Sequence, residues 1–250
     1  MKIINGFENK NEINNLNEWF KLCPPEGGEK QWVDFRSAKE MAKFWTNQKC
    51  SDEFKEFVRQ TFNEFEYGYL IPEYKSNFDN LGKERQHDLL INDKTDKVLI
   101  TIEGKADEEF GNITFGDYFK DTINTKIQNN NSKALERMIN LYQNFFYNEA
   151  KSLELKYQLI TWFAGSICDA IKADTANFIM MLQEFKSVHT KPENLARNHN
   201  DFEKFISLVS ERKFEHIENK QIIGPIANKF TDTKHCGIKN LYIGFYSIDL

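Results

Sequence analysis

Short apolar runs separated by polar turns occupy the centre of the chain, a pattern typical of β-strands. Residues 67–74, 86–91 and 98–105 form three such runs. Only a short link that contains the polar turn 92–95 separates the second and third runs, so we expect these two strands to be antiparallel neighbours. The continuous apolar run 178–185 is suited to an interior strand.

Apolar positions three and four residues apart predict helices on both sides of these strands. The first helix covers 36–45, with Ser37 and Glu40 as a capping box, and a second helix follows Ser51. Further helices are predicted over 115–127, 132–146, 153–171 and 202–209, and a last strand over 241–248.

This order of elements predicts a mixed α/β (α+β) fold, in which a central mixed sheet has helices on both faces. We expect one domain over residues 1–250. In that domain 1–30 is a peripheral N-terminal segment, about 36–186 is the core, and 198–250 adds a helix and strands.

The composition is that of a globular protein, with 40% hydrophobic and 28% charged residues. The net charge of −5 argues against a general polyanion-binding surface, although a metal ion can supply positive charge to a local cleft. The four cysteines are scattered without a C-x-x-C pair, which favours a reducing cytoplasm over a disulfide framework or a zinc site. No apolar run is long enough to span a bilayer, so we expect a cytoplasmic protein with no membrane partner.

The chemistry-bearing residues lie on the two linked strands: Asp88 on the first, and Glu103 and Lys105 on the second. Carboxylates from neighbouring strands can share a hard divalent cation such as Mg²⁺ or Mn²⁺. Lys105 lies two positions after Glu103 and therefore on the same face, where it could hold an attacking water. The alternative is an exposed strand with ordinary charged residues.

The pattern Asp88 … Glu103-x-Lys105, together with the element order over about 36–186, resembles the PD-(D/E)XK nuclease superfamily, which has the restriction-endonuclease-like fold. The resemblance implies that Asp88 and Glu103 bind Mg²⁺ and that Lys105 assists the nucleophile. It also assigns a third metal contact to Glu40 and a site contact to Gln158. The segments around these residues look like a bacterial branch of the superfamily that has no assigned substrate.

We therefore expect a Mg²⁺-dependent nuclease acting on DNA, with Gln158 and Arg36 contacting the substrate. The alternative is a catalytically inactive nuclease-like fold that serves as an interaction or regulatory module. Hydrolysis of a small phosphorylated metabolite is a third possibility, and the choice between a monomer and a homodimer stays open. The acidic run 107–109 after Lys105 would repel DNA unless it binds a second cation or points away.

Three further residues near the site are interpreted mainly as structural. Glu73 is interpreted as a solvated edge residue, with a third site carboxylate as the alternative if the strand register faces the site, and Arg85 is interpreted as part of a solvated strand start. His87, which stands where the superfamily has proline, is interpreted as a core histidine that points away from Asp88.

Overall fold

Nine strands and seven α-helices make up the part of the chain that the computed structural model describes, residues 1–8, 10–81, 84–214, 216–233 and 237–250. The strands are β1 (Lys2–Ile3), β2 (Tyr67–Ser76), β3 (Arg85–Asp93), β4 (Val98–Lys105), β5 (Asn177–Lys186), β6 (Gln221–Ile226), β7 (Asp232–Thr233), β8 (Gly237–Ile238) and β9 (Asn240–Asp249). The helices are α1 (Leu16–Leu22), α2 (Ser37–Thr46), α3 (Gln48–Arg59), α4 (Phe115–Gln128), α5 (Ala134–Asn140), α6 (Tyr157–Lys172) and α7 (Pro192–Val209).

The central sheet has the strand order β1-β2-β3-β4-β5-β9-β6. Strands β2, β3 and β4 form the antiparallel meander that the sequence predicts. Strands β4, β5 and β9 run parallel; helices α4, α5 and α6 separate β4 from β5 in the chain, and α7 and the antiparallel strand β6 separate β5 from β9. Every residue of β4 is buried, which places this strand at the centre of the fold.

Helices cover both faces of the sheet, as predicted. On one face, Trp45 of α2 and Phe54 of α3 pack on sheet residues such as Ile100. On the other face, Phe163 of α6 and Phe205 of α7 belong to a second apolar core. The alternation of side chains along β4 separates the two cores, since Leu99 belongs to one and Ile100 to the other.

The predicted elements over 36–186 occur in the predicted order, with changes at their ends. The helix predicted over 132–146 ends at Asn140 and continues as a π turn over Leu141–Phe145. The helix predicted around 202–209 begins ten residues earlier, at Pro192. Proline suits this first position because a helix leaves its first N–H groups unpaired.

The start of the chain joins the fold more closely than a loose arm would. The segment 1–30, predicted to be peripheral, adds β1 to the edge of the sheet beside β2 and places the side chain of Trp19 in the core. The Ser37–Glu40 capping box is not formed, because the helix already includes Ser37 and the Glu40 N–H donates to the Arg36 carbonyl.

Candidate functional site

Asp88 and Glu103 lie just beyond the last paired residues of β3 and β4. The ladder between the two strands ends at Leu89 and Ile102. The Asp88 carboxylate then accepts a hydrogen bond from the Gly104 N–H, with 2.7 Å between Oδ2 and the nitrogen. A side chain therefore satisfies a backbone donor of the central strand, and this contact fixes Asp88 beside Glu103.

The Glu103 carboxylate is surrounded by donors. Its Oε1 accepts from Lys105 Nζ at 3.0 Å and from Gln158 Nε2, and its Oε2 accepts from the Arg85 guanidinium. Burial opposes ionisation here, but the charges of Lys105 and Arg85 outweigh it and hold the pKa of Glu103 below its ordinary value. Glu103 is therefore a buried carboxylate anion with two cations against it.

Glu73 and Asp88 have the opposite electrostatic situation. Burial, together with the neighbouring carboxylates, raises the pKa of Asp88 to about 7 and that of Glu73 to about 9. Gln86 donates to Glu73 at 2.6 Å, and Glu73 has a backbone φ of +51°, a left-handed conformation that is unusual for a strand residue. These two carboxyl groups therefore retain their protons to a higher pH than ordinary carboxyl groups, because the cations of the site do not offset their burial and mutual repulsion.

A cavity of about 480 Å³ contains these groups. Lys30 and Arg36 reach it from the segment before α2, opposite the strands. Among the described residues that line it are five carboxylates and four basic side chains: Glu26, Glu73, Asp88, Glu103 and Glu108, with Lys30, Arg36, Arg85 and Lys105.

The structure brings five of the six sequence-predicted site residues to this cavity. Asp88, Glu103, Lys105, Gln158 and Arg36 line it. Gln158 lies in the first turn of the buried helix α6 and contacts both Glu103 and Lys105. Its Nε2 donates to Glu103 Oε1, and its Oε1 lies 3.4 Å from Lys105 Nζ.

Glu40 is the residue that the structure does not bring to the cavity. It is buried on α2, where its Oε1 accepts from the Phe35 N–H and from Lys43 Nζ, each at 2.8 Å. The partners of this carboxylate are those of a structural anchor for the start of α2. Glu40 therefore does not complete the metal set expected from the resemblance.

The acidic run after Lys105 points largely toward α7. Asp107 Oδ1 accepts from the Lys191 N–H at 2.8 Å, at the start of that helix, and Glu109 forms an ion pair of 2.8 Å with Arg197. Glu108 turns back onto the N–H groups of its own loop and also lines the cavity. Two of the three acids are thus committed to holding α7, so their repulsion of a polyanion is reduced.

Two residues of the site lie elsewhere than their favoured interpretation places them. The sequence favours a solvated Arg85 and an edge position for Glu73, but both line the cavity, as the alternative for Glu73 requires, and the Arg85 side chain is 14% exposed. The β2–β3 ladder pairs Pro72 with Leu89, and the next residue on each strand places Glu73 opposite Asp88. The register across the meander is therefore the signal that could have found Glu73.

His87 has the core position expected for it. The ring is fully buried and its Nε2 lies 3.2 Å from Asp169 Oδ2 of α6, away from the cavity. Burial lowers the pKa of His87, so the ring is held neutral beside a buried carboxyl group.

The donor types in the cavity suit a hard divalent cation, because carboxylate oxygens are the ligands that Mg²⁺ and Mn²⁺ prefer. The raised pKa values of Asp88 and Glu73 mean that their anionic forms are destabilised, and a cation bound between them would stabilise those forms. Within the described ranges, no group of three or more His, Cys, Asp or Glu side chains converges on one point. Asp88 and Glu73 would hold the ion most directly, since Glu103 is engaged by Arg85 and Lys105.

The fold and the cavity define an α+β protein whose mixed sheet carries a recessed acid–base site beside its central strands. Residues 12–249 match the family model described as Domain of unknown function (DUF6946), and the chain belongs to that family. No curated protein and no solved structure matches the chain. In the described part of the chain, no helix has the length and apolar character needed to cross a membrane.

Proposed function

We propose that this protein is a divalent-metal-dependent phosphodiester hydrolase that acts on DNA. The carrying observation is the meeting of Asp88, Glu103 and Lys105 in one cavity, from two neighbouring strands. The order of a helix layer, an antiparallel meander, a helix and a parallel strand agrees with the PD-(D/E)XK resemblance and supports the proposal.

Asp88 and Glu73 are the side chains that would hold Mg²⁺ or Mn²⁺ most directly, with Glu103 beside them, and the ion would polarise a phosphate oxygen and lower the pKa of an attacking water. Lys105 is positioned by Glu103 and Gln158, so its ammonium group has a fixed direction into the cavity. The chain itself therefore supplies a preorganised cation for the charge that develops on the phosphate oxygens.

Arg36 and Arg85 are the residues suited to the phosphate itself. A guanidinium group matches two phosphate oxygens with its planar fork. Arg36 is exposed at the cavity, whereas Arg85 is recessed and pairs with Glu103. We assign backbone contact to Arg36 and charge neutralisation near Glu103 to Arg85.

A cytoplasmic location belongs to the same proposal. Cys23, Cys50 and Cys168 are free thiols, which suits a reducing compartment. Cys236 lies outside the described residues.

The decisive experiment is a cleavage assay with Mg²⁺ and with Mn²⁺ on single-stranded and duplex DNA. Lys105→Gln should abolish cleavage while the far-UV circular dichroism spectrum shows that the fold is retained, although the unfolding midpoint should fall because the buried Glu103 loses one of its two cations. Lys75→Gln is the matched control, because Lys75 is an exposed lysine on β2. Absence of cleavage by the wild-type protein under all these conditions would overturn the proposal.

The second candidate function is a nuclease-like fold that has kept its shape as an interaction module. The engagement of both Glu103 oxygens by side chains of the chain itself favours this view. It predicts that Asp88→Asn leaves partner binding unchanged and that Mn²⁺ does not bind. Calorimetric titration of the protein with Mn²⁺ separates the two functions, because the hydrolase should bind the ion and the interaction module should not.

A further inference from the structure

The reactive groups of the proposed site are deeply recessed. Glu103 is 2% exposed and Lys105 is 4% exposed, so both lie at the bottom of the cavity. The segment 25–31, through Pro25, Glu26, Lys30 and Gln31, and the start of α2 line the opposite side. Among the residues that the structure describes, this segment and the strands are the two sides between which a phosphate would reach Lys105.

The segment that closes the cavity is held by its own contacts. The Gly28 N–H donates to the Pro25 carbonyl at 2.8 Å, and the Gly27 N–H donates to the Gln31 side chain at 3.0 Å. Immediately after it, the ring of Trp32 packs on Phe20 of α1, with 5.1 Å between the centroids. This side of the cavity is therefore an ordered part of the fold.

The cavity volume of about 480 Å³ is that of a site for a small ligand or one nucleotide unit. A duplex would have to bring its phosphate to this depth together with a second strand and a major groove about 12 Å wide. A single strand has no such partner, and its flexible backbone can enter a narrow cavity. The depth of Lys105 therefore favours a single strand.

An exposed aromatic residue directly precedes Arg36, one of the basic residues that line the cavity. Phe35 is 41% exposed and precedes Arg36, and its ring packs edge-on against His189 at 4.8 Å. Its φ of +65° is unfavourable for a bulky residue, so the fold tolerates local strain where it directs this side chain outward. Lys30 and Arg36 form no ion pair with a carboxylate among the residues that the structure describes.

We propose that the site takes single-stranded DNA, with one base stacked on Phe35 and the backbone led past Arg36 and Lys30 toward Lys105. Bases stack on exposed aromatic rings while basic side chains follow the phosphates, and this combination is how proteins bind single strands without reading their sequence. The inference rests on the proposed function for its reaction, but its binding step is tested separately.

Binding is measured by fluorescence anisotropy in EDTA, where no cleavage occurs, with a labelled DNA single strand and the blunt duplex of the same sequence. The wild-type protein should bind the single strand at least about tenfold more tightly than the duplex. Phe35→Ala should weaken single-strand binding about tenfold, the size of one base–aromatic stack, and Phe35→Trp should retain it. Val33→Ala is the matched control, because Val33 is 45% exposed in the same segment and carries no ring.

Equal or tighter binding of the duplex would overturn the inference. It is also overturned if Phe35→Ala and Val33→Ala behave alike, or if an RNA strand of the same sequence binds and the DNA strand does not. Cleavage with Mg²⁺ then separates this inference from the proposed function. Phe35-dependent binding without cleavage sustains the inference and refutes the hydrolase, whereas Lys105-dependent cleavage of duplex DNA alone refutes the inference and sustains the hydrolase.

Discussion

Replacing Asp88 with asparagine removes a charge that destabilises the folded protein. The pKa of Asp88 is about 7 in the fold, whereas an aspartate in an unfolded chain has a pKa of about 3.9. Because the folded-state pKa lies above the unfolded-state pKa, the native state binds the proton more tightly. The contribution of Asp88 to the free energy of unfolding therefore falls as the pH rises from about 4 to about 7, and it stays low above that range.

The magnitude follows from the size of the shift. One pKa unit corresponds to about 1.36 kcal/mol, so a shift to about 7 corresponds to about 4 kcal/mol. Asp88 is half-buried and water screens part of this penalty, so we expect Asp88→Asn to add about 2 kcal/mol to the free energy of unfolding at pH 8 and under about 1 kcal/mol at pH 5. The asparagine oxygen can still accept the 2.7 Å hydrogen bond from Gly104, so that contact is preserved.

Urea unfolding at pH 5 and pH 8 measures this difference directly. Asp121→Asn is the control, because Asp121 is an exposed aspartate within α4, and it should leave the unfolding midpoint unchanged at both pH values. Destabilisation of the protein by Asp88→Asn at pH 8 would refute this electrostatic account. An equal gain at both pH values would also refute it, because a packing effect does not depend on protonation.

Three further predictions concern the neighbours of Asp88. Arg85→Gln removes a cation that competes with a metal ion for the Glu103 carboxylate, so Mn²⁺ should bind about tenfold more tightly when the affinity is measured by calorimetry at low salt. The control Arg197→Gln changes an exposed arginine and should leave the Mn²⁺ affinity unchanged, and weaker Mn²⁺ binding by Arg85→Gln would contradict the prediction. Gly104→Ala would place a Cβ 2.7 Å from Met41 Cε, so urea unfolding should show that the free energy of unfolding is about 1–2 kcal/mol lower than in the wild-type protein. An unchanged unfolding midpoint would show that α2 can shift to make room. The free energy of unfolding should fall less between pH 7 and pH 5 in His87→Gln than in the wild-type protein. The reason is that the lowered pKa of His87 leaves only the unfolded chain to take up a proton below about pH 6.5. An equal fall in the wild-type and variant proteins would contradict this prediction.

The fold was predictable to the extent that apolar periodicity is local and strong. The fully buried strand β4 and the buried helix α6 have continuous patterns, and both occur where the sequence predicts them. The two-residue strand β1 has no pattern of its own, because its position depends on pairing with β2. The same limit explains the start of α2, where a contact between Glu40 and the Phe35 N–H replaces the expected capping box.

The site divides in the same way. Glu103 and Lys105 are two positions apart on one strand, so their common location follows from the strand period alone. The position of Glu73 depends on a φ of +51° within β2, and that of Arg85 depends on where the β3–β4 ladder ends. Neither property is encoded in a short sequence window, so the sequence leaves Glu73 as an alternative that depends on strand register and carries no signal for Arg85.

The charge balance of the cavity bears on the choice between an enzyme and an inactive fold. Arg85 and Lys105 neutralise Glu103, which would suffice for a purely structural site. Asp88 and Glu73 remain beside that pair with raised pKa values, so the folded state is less stable at neutral pH than it would be without them. A bound divalent cation would offset this destabilisation by supplying the missing positive charge. An interaction module has no use for two such carboxylates in a recessed cavity, and for this reason we favour the hydrolase.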